Sequence, residues 1–128
     1  MSEVIKDIWG LDLISTEYSS IRDSLFQDNI GKSASAIYLD NSYLELKGSA
    51  YDKNFVSNIS PQGPTIFATF SKIRSSSMDF SENAGYQGAC YLLDSTSELI
   101  DQDSVYMNNK ASQGGVTFAI NDSKFNHT

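Results

Sequence analysis

An aromatic residue three positions ahead of an asparagine recurs along this chain, and that recurrence sharply limits what the chain can fold into. The motif stands at Phe26–Asn29, Tyr51–Asn54, Phe80–Asn83 and Tyr106–Asn109, with the asparagines 25, 29 and 26 residues apart. A short apolar strand follows each time: Ser35-Ala36-Ile37-Tyr38-Leu39, Pro64-Thr65-Ile66-Phe67-Ala68, Ala89-Cys90-Tyr91-Leu92 and Gly115-Val116-Thr117-Phe118. A third piece completes each unit, as Leu44-Glu45-Leu46, Lys72-Ile73-Arg74 and Glu98-Leu99-Ile100, and an earlier unit runs from Leu11 to Asn29 around Ile21-Arg22. Three short strands between Ser, Asn, Asp and Gly turns cannot bury their own apolar faces. Units stacked in register can, each strand pairing with its counterparts about 4.8 Å above and below.

These features predict an all-β parallel β-helix of about four or five coils, each of roughly 25 residues. Beyond one turn near Met1, helix is excluded because no segment holds apolar residues at i, i+3, i+4 and i+7. The whole chain reads as one domain, residues 1–10 as an N-terminal cap carrying Ile5, Ile8 and Trp9, and 11–128 as coils. Period-2 alternation assigns Ile37, Leu39, Ile66, Ala68, Cys90, Leu92, Val116 and Phe118 to the interior. It leaves Tyr38, Phe67 and Tyr91 as an outer aromatic ladder able to face a ligand. The middle strand sends Leu44, Leu46, Ile73 and Leu99 inward, and Glu45, Arg74 and Glu98 outward with Lys124 extending the column. Phe26, Tyr51, Phe80 and Tyr106 go inside.

Asn29, Asn54, Asn83 and Asn109 fall at the corners, where asparagine tolerates left-handed backbone and its amide can bond the next coil. A structural ladder is the expected role, with a binding row of amides as the alternative. The final segment starts a coil but stops before its own corner motif. The expectation is a stack incomplete at its C-terminal end, a fragment of a longer protein that associates end to end through unpaired strand edges.

The aromatic-x-x-Asn motif, alternating with small-small-Ala/Ile segments, resembles the repeats of polymorphic outer-membrane and adhesin-type proteins and of Ser/Asn-rich protist surface proteins. All are similar to right-handed parallel β-helices of the pectin-lyase-like superfamily. The resemblance spans about Leu11 to Phe118. It implies a right-handed coil and an extracellular or cell-surface setting for the longer protein.

Chemistry is sparse. The superfamily includes polysaccharide-cleaving enzymes, whose hydrolases need paired carboxylates on one face. Asp40, Asp52, Asp79, Asp94, Asp101, Asp103 and Asp122 share no column, and His127 is the sole histidine. The expectation is therefore no catalytic residues. No metal-ligand spacing and no Gly-rich nucleotide loop occurs, so no metal and no cofactor is expected. The net charge of −7 lacks the basic patch that nucleic acid requires. Cys90 has no disulfide partner in the chain. No signal peptide is evident, and no run approaches the roughly 18 apolar residues of a membrane helix. Asn58, Asn121 and Asn126 match the glycosylation pattern. The function expected is a non-catalytic repeat module presenting an extended face to a protein or glycan partner. The alternatives are a degenerate carbohydrate-active relative or a structural spacer.

Overall fold

The computed structural model describes residues 4–6, 11–14, 18–31, 34–49 and 53–128, the first two segments as backbone only. All its regular elements are strands. The first coil contributes β1 (Val4–Lys6), β2 (Leu11–Ile14) and β3 (Ser19–Arg22). The second has β4 (Leu25–Gln27), β5 (Ile37–Asp40) and β6 (Tyr43–Lys47). From the third coil a fourth strand appears: β7 (Phe55–Val56), β8 (Ile59–Ser60), β9 (Ile66–Thr69) and β10 (Lys72–Ser76). The fourth coil is β11 (Asp79–Ser81), β12 (Ala84–Gln87), β13 (Tyr91–Asp94) and β14 (Glu98–Gln102). The last is β15 (Val105–Met107), β16 (Lys110–Gln113), β17 (Thr117–Ala119) and β18 (Lys124–His127).

Every pairing is parallel and joins corresponding strands of successive coils. The result is a β-solenoid of about four turns with three five-stranded sheets, β1-β4-β7-β11-β15, β2-β5-β9-β13-β17 and β3-β6-β10-β14-β18. A narrower fourth sheet, β8-β12-β16, inserts after the corner. Its strands, rich in Ser, Gly and Gln, carry no apolar alternation, so the sequence pattern shows three strands per coil where the later coils have four.

Inside, side chains stack in columns. Phe26, Phe55, Phe80 and Tyr106 form one aromatic column, with ring centroids 4.8, 4.5 and 5.1 Å apart. Phe55 takes the place expected of Tyr51, which lies outside the described residues. The Phe55–Asn58 pair is the third coil's true corner motif, and the spacing of ladder asparagines is 29, 25 and 26. Leu44, Leu46, Ile73 and Leu99 are buried. Outside them, Glu45 lies beside Arg74, while Glu98 lies between Lys72 and Lys124. The expected single column of alternating charge is therefore two columns.

One strand sits one residue out of its expected phase. Tyr91 pairs with Ile66 and Thr117, and Leu93 with Ala68 and Ala119. Tyr91 and Leu93 thus point inward, and Leu92 points outward with Phe67 and Phe118 as neighbours. Four consecutive apolar residues, Cys90 to Leu93, give alternation nothing to choose with. In the last coil Thr117 and Ala119 are in register with Tyr91 and Leu93, and Phe118 with Leu92, while Val116 packs against the core as expected. Of the expected cap, Val4–Lys6 is a strand of the first sheet paired with β4, and Trp9 lies outside the described residues.

The chain turns its corners on left-handed residues. Asp28, Ser57, Glu82 and Asn108, each just before a ladder asparagine, have φ of 58°, 56°, 58° and 57°. The asparagines themselves are not the left-handed residues. A second turn column reads Asn41, Phe70, Ser95 and Asn121, with φ of 48°, 50°, 54° and 52°. Phe70 is the misfit: a bulky side chain in that conformation is strained, and it is 62% exposed. Phe70→Asn, matching Asn41 and Asn121 of the same column, is expected to stabilise the fold by about 0.5–1 kcal/mol. A urea midpoint moving downward would contradict this account.

Candidate functional site

The corner asparagines form a continuous chain of amides. Asn29 Nδ2 donates to Asn58 Oδ1 (3.0 Å), Asn58 Nδ2 to Asn83 Oδ1 (2.9 Å), and Asn83 Nδ2 to Asn109 Oδ1 (3.0 Å). Each acceptor oxygen also takes the backbone N–H of the preceding asparagine. The nitrogens of Asn58, Asn83 and Asn109 donate as well to the carbonyls of Phe26, Phe55 and Phe80. Asn54, expected in this ladder, stands apart from it. Its Nδ2 donates to Ser24 O and its Oδ1 accepts from Asp79 N. Spacing does not separate the two, because Asn54 lies 25 residues after Asn29 and 29 before Asn83, and Asn58 the reverse.

With both ends of each inner amide engaged, the row is a backbone clamp. Asn58 is fully buried, so the folded chain cannot carry a glycan on it. Asn121 and Asn126 are exposed, Asn121 in a turn with its amide on Asp94 (2.7 Å) and Asn126 on β18. A second ladder follows the same logic. Ser71, Ser97 and Ser123 hydroxyls accept the N–H groups of Ser42, Ser71 and Ser97, each at 3.0 Å. Isolated serines in a Ser-rich sequence gave no sign of it.

The expected outer aromatic ladder is shorter than three residues. Tyr38 and Phe67 do face outward, half-buried and stacked at 5.3 Å with planes 18° apart. Tyr91 is 0% exposed, because its strand phase turns it into the core. Stacking also turns the Tyr38 and Phe67 ring faces toward each other, leaving mainly ring edges for a ligand.

Tyr91 instead belongs to a polar cluster inside the last two coils. The inward column Ile21, Leu46, Ser75, Asp101, His127 changes from apolar to polar along the stack. Asp101, on β14, is buried, whereas Asp103, in the turn that follows, is exposed. Asp101 Oδ1 accepts from Ser75 Oγ and from Ser104 Oγ (2.6 Å), and Oδ2 from Tyr106 Oη. His127 Nδ1 lies 2.9 Å from Oδ2 and its Nε2 lies 3.0 Å from Thr117 Oγ1. The Tyr91 hydroxyl donates to Ser75 (3.3 Å).

Burial, reinforced by the Asp101 charge, pushes the Cys90 thiol and the Tyr91 phenol well above their usual ranges. Burial, with Tyr91 and then Asp101 adding to it, does the same to Tyr106. Both phenols therefore stay protonated, and the thiol is not an activated nucleophile. Carboxylate, imidazole and hydroxyl stand in the order that a nucleophilic relay uses. Yet Asp101 has both oxygens occupied, and Thr117 hangs from an inward position in register with Tyr91. The arrangement satisfies a buried charge where the core column turns polar. Among the described residues no group of three metal-binding side chains occurs.

One exposed apolar surface lies along the fourth sheet. Ile30 pairs with Ile59, and Ile59 with Ala84, and both isoleucines are exposed. Tyr86 and Pro61 line a shallow hollow with Ile59. Neither periodicity nor spacing singled out these residues. No family model, curated protein or solved structure matches the chain.

Proposed function

We propose that this chain is a non-catalytic β-solenoid module whose outer surface docks a protein or glycan partner. The exposed apolar flank formed by Ile30, Ile59 and Tyr86 supports this reading most directly. Grouped apolar side chains at a solvated surface mark interaction sites more often than lone ones do. The ladders behind the flank hold its backbone still, so a partner meets a surface that loses little entropy on binding. A purely structural spacer has no use for such a flank. A degenerate carbohydrate-active relative would leave its mark as clustered outward carboxylates, whereas Asp101, the most enclosed acid among the described residues, faces inward.

The motif resemblance to adhesin-type and protist surface repeats favours a right-handed, pectin-lyase-like coil. It also favours an extracellular setting for a longer protein containing this segment. The acidity of the chain speaks against nucleic acid as partner. No described helix is long and apolar enough to cross a membrane.

The test is to display the protein to a glycan array and to a panel of cell-surface ectodomains, beside an Ile30→Ser, Ile59→Ser variant. A binder lost in the variant, with unchanged circular dichroism, is the expected result. Binders unaffected by the variant would remove the flank from the account. Polysaccharide turnover would overturn the non-catalytic reading.

A further inference from the structure

Two hollows of about 320 and 240 Å³ adjoin on the fourth sheet and share Ala84 as common floor. Ile59, Pro61, Gly85, Tyr86 and Ser112 line the smaller one. Glu82, Asn108 and Lys110 rim the larger, with Asn83 behind them. From this geometry we infer that the paired hollows bind an uncharged sugar of one or two rings, a proposal that rests on the docking role of this flank.

A sugar ring has two chemical aspects, a face of C–H groups and a rim of hydroxyls. The C–H face seeks an aromatic or apolar platform. Tyr86 supplies one: it is 44% exposed, and among the described residues its ring joins none of the stacks that occupy the other core and ladder aromatics. Ile59 and Pro61 extend that platform. The stacked rings of Tyr38 and Phe67 offer no comparable face, which moves the sugar site from the second sheet to the fourth.

The hydroxyl rim needs donors and acceptors side by side. Asn108 carries both, Glu82 accepts, Lys110 donates, and Ser112 does either. All four side chains are exposed. The larger hollow, at about 320 Å³, is at the small end of ligand-site volumes and the smaller falls below it, so the ligand lies across both, with polar groups around an apolar floor.

Charge narrows the class. Glu82 and Lys110 face one hollow and cancel, so it offers no net cation. A carboxylated or sulfated sugar would meet the Glu82 carboxylate and a chain of net charge −7. The backbone beneath is fixed. Tyr86 N donates to Gly63 O at 2.9 Å, and a Cβ on Gly85 would come within 2.3 Å of Gly88 O and 2.7 Å of Gly63 O. Tyr86 therefore projects from a strand held close against Gly63 of the preceding coil, and the platform exists before ligand arrives.

The experiment is an amide NMR titration of the whole chain with cellobiose, maltose and N,N′-diacetylchitobiose, with digalacturonic acid as anionic control. At least one uncharged disaccharide is expected to give saturable shifts at Ala84, Tyr86, Asn108 and Lys110. Tyr86→Ala, at an exposed position, should keep a dispersed spectrum and weaken that binding by about tenfold or more. Phe67→Ala should leave it unchanged. Shifts confined to the Tyr38–Phe67 column, equal binding of digalacturonic acid, or no shift with any uncharged sugar would overturn the inference. A protein partner docking on the same flank in the absence of any sugar effect would overturn the sugar assignment while leaving the module reading in place.

Discussion

Ile66→Asp is expected to unfold the solenoid at neutral pH. Ile66 is fully buried, paired on one side with Ile37 and on the other with Tyr91, themselves fully buried. Losing the isoleucine side chain from such a site costs about 2–5 kcal/mol. Enclosing an unpaired carboxylate adds several kcal/mol more, since no cation lines this column. Together these rival the total stability of an ordinary small domain, about 5–15 kcal/mol. In a stack the damage also spreads, because each coil depends on the interfaces above and below it. Protonating the introduced carboxyl removes the charge penalty, so lowering the pH should recover part of the β signal. Lys53→Asp, at an exposed turn position, should be nearly silent. Circular dichroism and urea melts of the two variants decide the matter, and equal effects would show that the inward columns are misassigned.

How far such columns could be foreseen depends on whether each local signal had a rival. Ile37-Tyr38-Leu39 and Leu44-Glu45-Leu46 alternate without ambiguity, and the structure buries the expected faces. Cys90-Tyr91-Leu92-Leu93 has no polar residue to break the tie. Its phase is decided by pairing with β9 and β17, and by a partner for the Tyr91 hydroxyl on Ser75, which lies in a different sheet. Tyr91 therefore left the outer ladder through information held 16 residues away. The corner motif failed for another reason. Tyr51–Asn54 and Phe55–Asn58 both satisfy it, and spacing does not choose between them, since either set of asparagines stands at intervals of 25, 26 and 29 residues. A solenoid absorbs extra residues in a turn at little cost, since loop-closure entropy grows only slowly with length. Spacing is then a weak arbiter, and burial of Phe55 between Phe26 and Phe80 a strong one.

The polar sites were the least legible. Asp101 reads as a turn residue beside Asp103, and only the inward column shows it sharing a layer with Ser75 and His127. The fourth-sheet flank was invisible for the opposite reason. Ala84-Gly85-Tyr86-Gln87 has a single large apolar residue, so no periodicity marks it as a strand. Surfaces that face a partner need not alternate, because solvent and not a core lies on their far side. The fold of a solenoid is accordingly written in its inward residues, while a binding surface uses positions that the repeat leaves free.

Those inward positions include one polar residue on which the stack depends. Asn83→Leu is expected to destabilise the chain by about 3–5 kcal/mol despite the near-equal volume of the two side chains. Asn83 Oδ1 accepts from the backbone and side-chain nitrogens of Asn58, and its Nδ2 donates to Phe55 O and Asn109 Oδ1. Leucine makes none of these bonds. The Asn58 N–H and the Phe55 carbonyl are then enclosed without partners, at about 1–3 kcal/mol for each orphaned group. Asn58 Nδ2 retains Phe26 O, and Asn109, less buried, recruits water, so the loss stops short of four full penalties. Asn109→Leu, one coil further on, should cost less for the same reason. Asn83→Asp keeps the acceptor but sets a charge against Asn109 Oδ1 and Phe55 O, so it should be at least as damaging as leucine at neutral pH and milder once acid protonates it. Urea denaturation of the three variants ranks them. Asn109→Leu costing as much as Asn83→Leu would contradict the view that each amide clamps the coil before it to the coil after.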